Sequence, residues 1–122
     1  MQGDRRHIGI SLLILRLVAW FLAITIVIFS LVPANIRPVT GAPQPVEHFA
    51  IYALTGLAFG FGYKRREVLL AGLLVIFSGA VEFAQLAVPG RHARVSDFVI
   101  DAIAVVTGLF VASHLSRYIS LR

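Results

Sequence analysis

Four apolar segments separated by short polar ones make up most of the chain. The segments cover residues 8–32, 46–63, 68–88 and 97–118. A transmembrane α-helix needs about 20 predominantly apolar residues, and every segment except the second spans at least that many positions. The pattern therefore predicts an all-α polytopic membrane protein, with residues 1–122 forming one domain, a bundle of four transmembrane helices.

Proline, glycine and basic residues mark the ends of these segments. Four of the five prolines fall within residues 33–45, which are therefore predicted to form a loop. A Lys-Arg-Arg cluster at residues 64–66 follows the second segment, and Pro89-Gly90 ends the third. We predict that Ser96 caps the fourth helix, because a serine hydroxyl at that position accepts a hydrogen bond from an N–H of the first turn.

The first segment contains one charge, Arg16. Its long side chain is expected to extend the guanidinium toward the nearer membrane surface. The segment is longer than the apolar core of a signal peptide, so we expect a lasting transmembrane helix rather than a cleaved leader.

The distribution of basic residues predicts the orientation in the membrane. Cytoplasmic loops carry an excess of Lys and Arg. An N-terminus in the cytoplasm places eight of these residues inside (Arg5, Arg6, Arg16, Lys64, Arg65, Arg66, Arg117 and Arg122) and three outside (Arg37, Arg91 and Arg94). Both termini are therefore predicted to be cytoplasmic.

Composition favours a membrane protein over a soluble or nucleic-acid-binding one. Apolar residues make up 58% of the chain and charged residues only 14%, too few to cover a soluble globule. The net charge of +5 comes from short clusters at segment ends, typical of membrane anchoring, rather than from a basic face. The lipid bilayer is the expected partner, and nucleic acid is not.

Small residues recur one helical turn apart in two of the segments. Gly56 and Gly60 lie in the second segment, and Ala104, Gly108 and Ala112 lie in the fourth. This spacing lets helix backbones approach closely. We interpret both patterns as helix-packing surfaces rather than as functional motifs.

Three pairs of polar side chains interrupt the apolar segments. The members of each pair are three or four residues apart, so they share one face of a helix. An ionisable side chain in hydrocarbon costs about 3 kcal/mol unless it faces a bundle interior or a wet cavity. The predicted topology puts all three pairs near the outer surface, which predicts one shared site there. The pairs are His48 with Tyr52, Glu82 with Gln85, and Asp97 with Asp101.

The loop after the third segment supplies the predicted counter-charge. Arg91, with Arg94 close by in sequence, carries a planar guanidinium suited to pairing with carboxylates. The predicted binding site therefore consists of His48, Tyr52, Glu82, Gln85, Arg91, Asp97 and Asp101.

The same residues are candidates for acid–base chemistry. A protonated acid beside an ionised one can give and take a proton, and the candidates for that role are His48, Glu82, Asp97 and Asp101. The chain has no cysteine and no compact ligand spacing such as HExxH, so neither a metal nor a cofactor is expected.

Several of these residues also have simpler interpretations. Asp97 can be interpreted as an acid that interacts with the dipole at the N-terminus of its helix. Glu47 and His48 can be interpreted as residues at the membrane interface. Trp20, Tyr63 and Tyr118 are interpreted as members of an aromatic belt. Glu82 is hardest to explain in this way, since it lies deep among apolar neighbours.

The order of these residues resembles that of the VanZ-like family of small bacterial membrane proteins. The resemblance covers residues 46–112. It consists of His48-Phe49-x-x-Tyr52-x-x-x-Gly56, Glu82-x-x-Gln85, Pro89-Gly90-Arg91, Ser96-Asp97 and Gly108. The chain departs from the family at four positions: Gln44 and Pro45 replace a common Asp-Lys pair, Asp101 replaces the usual asparagine, and Ala104 replaces a common glycine.

The resemblance implies a multi-pass protein of the bacterial cytoplasmic membrane. The family's namesake is associated with low-level resistance to teicoplanin, attributed to reduced binding of this glycopeptide at the cell surface. On that basis we expect a cell-envelope protein whose outward polar site engages an envelope glycan, a lipid or a glycopeptide.

Two other function classes remain open from the sequence. The polar cluster could belong to an enzyme that performs acid–base transfer or hydrolysis on a lipid-linked envelope substrate. It could instead hold the helices together in a structural or partner subunit that performs no chemistry.

Overall fold

The computed structural model describes the backbone of residues 2–120 and the side chains of residues 5–119. Arg122, one of the eight predicted cytoplasmic charges, lies outside the described residues. The described chain contains helices and no strands, so the all-α prediction is confirmed.

Four α-helices follow one another along the chain. They are α1 (Gln2–Leu31), α2 (Gln44–Gly62), α3 (Glu67–Ala84) and α4 (Val95–Ser120). Short 3₁₀ turns at Ala34–Ile36 and Gln85–Ala87 follow α1 and α3. The basic cluster lies between α2 and α3, as predicted, whereas the predicted loop of residues 33–45 is shorter, because α2 begins at Gln44 and includes Pro45.

Three helices of the described chain are long and apolar enough to cross a membrane. These stretches are Arg5–Leu31, Glu67–Ala87 and Val95–Ile119. The remaining helix, α2, is 19 residues long and is not among these candidate spans. A helical membrane protein follows from this composition.

Helices α2 and α4 form the centre of the bundle, with α1 packed mainly on α2 and α3 mainly on α4. A Cβ atom at Gly56 would lie 2.1 Å from the carbonyl oxygen of Val105, and one at Gly108 would lie 2.1 Å from that of Ala53. Only glycine permits such close backbone contact. The predicted packing role of these small residues is confirmed.

The end of the bundle where α2 finishes is held by Arg16 and aromatic side chains. Arg16 Nε donates a hydrogen bond to the carbonyl oxygen of Gly62 at 2.9 Å, and its guanidinium lies 4.8 Å from the centre of the Tyr63 ring. Trp20 Nε1 donates to the Tyr63 hydroxyl at 3.0 Å. Arg16 therefore satisfies a carbonyl at the end of α2, where helical carbonyls lack partners within the helix.

The predicted capping role of Ser96 is wrong. Helix α4 begins at Val95, so Ser96 lies inside its first turn. The first helical acceptor is the carbonyl oxygen of Arg94, which receives the N–H groups of Asp97 and Phe98 at 3.1 and 3.2 Å. Arg94 is therefore the N-cap residue, and a side chain from α3 bonds to its N–H group.

Candidate functional site

The pair His48–Asp101 links α2 to α4 inside the bundle. His48 Nδ1 lies 3.0 Å from Asp101 Oδ1, and the carboxylate is only 1% exposed. The His48 ring stacks on Tyr52 one turn along, with 6.4 Å between ring centres. Asp101 also interacts with Tyr52. Because glycines bring α2 and α4 together, polar residues predicted on two separate helices meet here.

Glu82 joins α3 to the beginning of α4. Its Oε1 accepts a hydrogen bond of 2.6 Å from the backbone N–H of Arg94, and the residue is buried at 6% exposure. A carboxylate at this position also interacts favourably with the positive end of the α4 dipole. The hydrogen bond to Arg94 therefore explains in part why Glu82 is buried among apolar neighbours. The sequence alone does not reveal this contact.

The predicted acids lie close enough to influence one another. Glu82 interacts electrostatically with Asp97, Asp101 and His48. Asp97 is half-buried in the first turn of α4, and its Oδ2 lies 3.5 Å from Gln44 Nε2. The three polar pairs therefore converge at one end of the bundle, as the sequence predicted.

Arg91 is not the counter-charge of this acidic cluster, contrary to prediction. Its Nε donates to the carbonyl oxygen of Val32 at 3.0 Å and its Nη2 to that of Phe29 at 2.7 Å. The loop places Arg91 against the end of α1, where carbonyls without helical partners attract the guanidinium. Arg94 also pairs with no acid through its side chain in the described chain, and contributes its backbone N–H instead.

Arg91 retains its positive charge in this position. Burial, and secondly the neighbouring Arg37, lower the pKa of Arg91 from its ordinary value. An arginine side chain is nevertheless not deprotonated in proteins.

The sequence missed an ion pair between the proline-rich loop and α2. Arg37 Nη2 lies 2.6 Å from Glu47 Oε2, and Thr40 donates its hydroxyl to the same carboxylate. The sequence contained one indication of this pair: an arginine in the loop, followed by an acid in the first turn of the next helix. Only the fold of the loop, however, brings them together.

A cavity of about 540 Å³ lies between α1, α2 and the proline-rich loop. Its walls are mainly apolar and include Ile26, Phe29, Ile51 and Leu54. Polar side chains line the rest: Thr25, Ser30, Arg37, Thr40, Glu47, His48, Tyr52, Gln85 and Arg91. Four of the seven predicted binding residues therefore line this cavity.

A smaller cavity of about 190 Å³ lies beside it and is mainly polar in its lining residues. Arg37, Gln85 and Arg91 line both cavities, and Asp97 lines the smaller one. Glu82 and Asp101 line neither cavity and contact Arg94 and His48 from within the bundle. Of the candidate catalytic residues, His48 and Asp97 are therefore the two in contact with a cavity.

Within the described residues, no group of three or more His, Asp and Glu side chains is placed to hold a metal ion. The pair His48–Asp101 can instead exchange a proton, since the carboxylate fixes one ring nitrogen and leaves Nε2 for another partner.

Comparison with known proteins adds no relative to this picture. No protein-family model, curated protein or solved structure matches the chain.

Proposed function

We propose that this chain is a VanZ-like protein of the bacterial cell envelope that binds an amphiphilic envelope molecule between α1 and α2. The observation that carries the proposal is the 540 Å³ cavity, with apolar walls on α1 and α2 and a polar region formed by His48, Gln85 and Arg91. Ligand cavities commonly measure about 300–1,000 Å³ and combine apolar walls with a few placed polar groups. Such a cavity suits a molecule that is apolar along most of its length and polar at one end.

The candidate ligands are a lipid, a lipid-linked glycan precursor and a glycopeptide with an acyl chain. The ordered motifs of the VanZ-like family favour this class, since the namesake acts on glycopeptide susceptibility. The excess of basic residues at the opposite end of the bundle favours an outward-facing site in the cytoplasmic membrane.

Filling the cavity is expected to weaken ligand binding. Ala50 is a small residue in the cavity wall, and Ala50→Trp would occupy the space between α1 and α2. We expect labelling of the purified chain by a photoactivatable phosphatidylglycerol to fall about tenfold, the loss expected for 1.4 kcal/mol of binding energy.

The matched control is Leu73→Trp, which adds the same side chain to an exposed position of α3 outside the cavity. Its labelling should equal that of the wild type. Equal labelling of the Ala50→Trp variant would show that the cavity does not hold the lipid.

A cellular measurement tests the envelope role. We expect Asp97→Asn, which removes one charge from the smaller cavity, to change teicoplanin susceptibility or envelope lipid composition in a bacterium that expresses the chain. The variant should accumulate in membranes like the wild type. Unchanged susceptibility and composition at normal abundance would count against an envelope function.

A second candidate function is supported by the pair His48–Asp101. A histidine oriented by a carboxylate can act as a general base, and His48 lines the larger cavity. The corresponding enzyme would use His48 to take a proton from water during hydrolysis of a lipid-linked envelope substrate.

Asp101→Asn separates this enzyme from a binding protein. The amide favours the wrong histidine tautomer, which lowers turnover in enzymes that depend on such a pair by about 10⁴-fold. Headgroup release from a radiolabelled lipid-linked precursor would therefore almost stop, whereas lipid labelling would remain. Undiminished release by this variant would eliminate His48 as the base.

A further inference from the structure

The two cavities meet at a wall that contains two arginines. Arg37 and Arg91 line both the large apolar cavity and the small polar one, together with Gln85. The small cavity is also lined by His92 and Arg94. The lining thus changes from apolar to cationic across this wall.

Arg91 is held in place without using all of its donors. Two of its nitrogens bond to the carbonyl oxygens of Phe29 and Val32, which fixes the guanidinium at the wall. An arginine has five N–H donors, so three remain for another partner. No carboxylate pairs with Arg91 anywhere in residues 5–119.

Arg37 lies near enough to Arg91 for the two charges to repel each other. Glu47 pairs with Arg37 at 2.6 Å and offsets one of these charges. Asp97 is the one carboxylate in the lining of the small cavity, against Arg37, Arg91 and Arg94. An anion placed between the arginines would relieve their repulsion, and fixed guanidinium groups lower the ordering cost of binding it.

We infer that the amphiphile carries a phosphate-type anionic headgroup, which binds Arg91 and Arg37 in the small cavity while its apolar chain fills the large one. This assignment rests on the proposed function, because it names the headgroup of the same ligand. Guanidinium groups suit phosphate oxygens, since both form paired hydrogen bonds in a plane. The adjoining apolar cavity favours a lipid over free phosphate as the source of the anion.

The test compares lipids with identical chains and different headgroups on the full chain in dodecyl maltoside. Dioleoyl phosphatidic acid and dioleoyl phosphatidylglycerol should bind at least about tenfold more tightly than uncharged dioleoylglycerol, as measured by native mass spectrometry. Inorganic phosphate should not displace them at equal concentration. Displacement by inorganic phosphate would overturn the conclusion that the anion belongs to a lipid.

Two variants remove charge from the small cavity, and a third serves as control. Arg91→Gln keeps N–H donors for the end of α1 but loses the charge, and Arg94→Gln keeps the backbone N–H that bonds to Glu82. Both should reduce the preference for phosphatidic acid over dioleoylglycerol. Lys64→Gln makes the same change of charge after α2, away from both cavities, and should leave the preference unchanged.

The outcomes separate the headgroup assignment from the proposed function. If phosphatidic acid and dioleoylglycerol bind equally and Ala50→Trp weakens the binding of both, the headgroup assignment fails and the proposed function stands. If no lipid binds the wild type above the level of the Ala50→Trp variant, both fail.

Discussion

Replacing Gly56 with alanine is expected to force α2 and α4 apart and to destabilise the fold by about 3 kcal/mol. The added Cβ atom would lie 2.1 Å from the carbonyl oxygen of Val105, a backbone atom that cannot rotate away. Overpacking of this kind is relieved only by moving a whole helix. Unfolding of the purified chain by sodium dodecyl sulfate can be followed through the fluorescence of Trp20, the single tryptophan, whose ring lies 5.5 Å from that of Phe59 on α2.

The matched control is Gly72→Ala in α3. A Cβ atom at Gly72 has no neighbouring atom within 4 Å. Inside a helix, alanine is more favourable than glycine by about 1 kcal/mol. This variant should therefore be as stable as the wild type or slightly more stable. Equal stability of the Gly56→Ala and Gly72→Ala variants would contradict the close contact between α2 and α4.

Glu82→Leu is expected to destabilise the junction of α3 and α4 by about 1.5–3 kcal/mol, the range for hydrogen bonds to charged groups. Leucine cannot accept the N–H of Arg94, which Glu82 binds at 2.6 Å. Glu82→Gln keeps an oxygen acceptor at the same distance along the side chain, so its free energy of unfolding should be close to that of the wild type. The same unfolding measurement compares the two variants.

These variants also test whether the polar cluster is only structural. If Glu82→Leu leaves stability, lipid labelling and teicoplanin susceptibility intact or improved, neither the hydrogen bond from Glu82 to the start of α4 nor the polar cluster is needed for folding or function. Loss of stability with retained lipid labelling would assign Glu82 to the scaffold and leave His48 and Arg91 as the residues of the site.

Much of the fold can be predicted from local features of the sequence. Hydropathy locates α1 and α3, prolines locate the loop, and the spacing of Gly56, Gly60 and Gly108 marks the central contact. Helical periodicity puts the two members of each polar pair on one face, and the alternating direction of successive segments puts the pairs at one end of the bundle. These features depend on neighbours along the chain, and their prediction needs no knowledge of how helices are arranged.

The partners of the charged side chains depend on the arrangement of the helices. Simple charge pairing predicted carboxylates for Arg91, whereas the fold offers it the unsatisfied carbonyls at the end of α1. Glu82 finds a backbone amide instead of an arginine side chain. Backbone groups are uniform along the sequence, so nothing in the sequence shows which of them will lack partners and lie within reach.

The bonds between Arg91 and the end of α1 would couple binding of the proposed amphiphile to the stability of the bundle. One guanidinium both fastens the last turn of α1 and forms the wall between the two cavities. A molecule that binds this group in the folded chain alone must raise the midpoint of unfolding, by an amount set by its concentration and affinity. Thermal protection would therefore identify an amphiphile of the proposed kind in a set of lipid extracts.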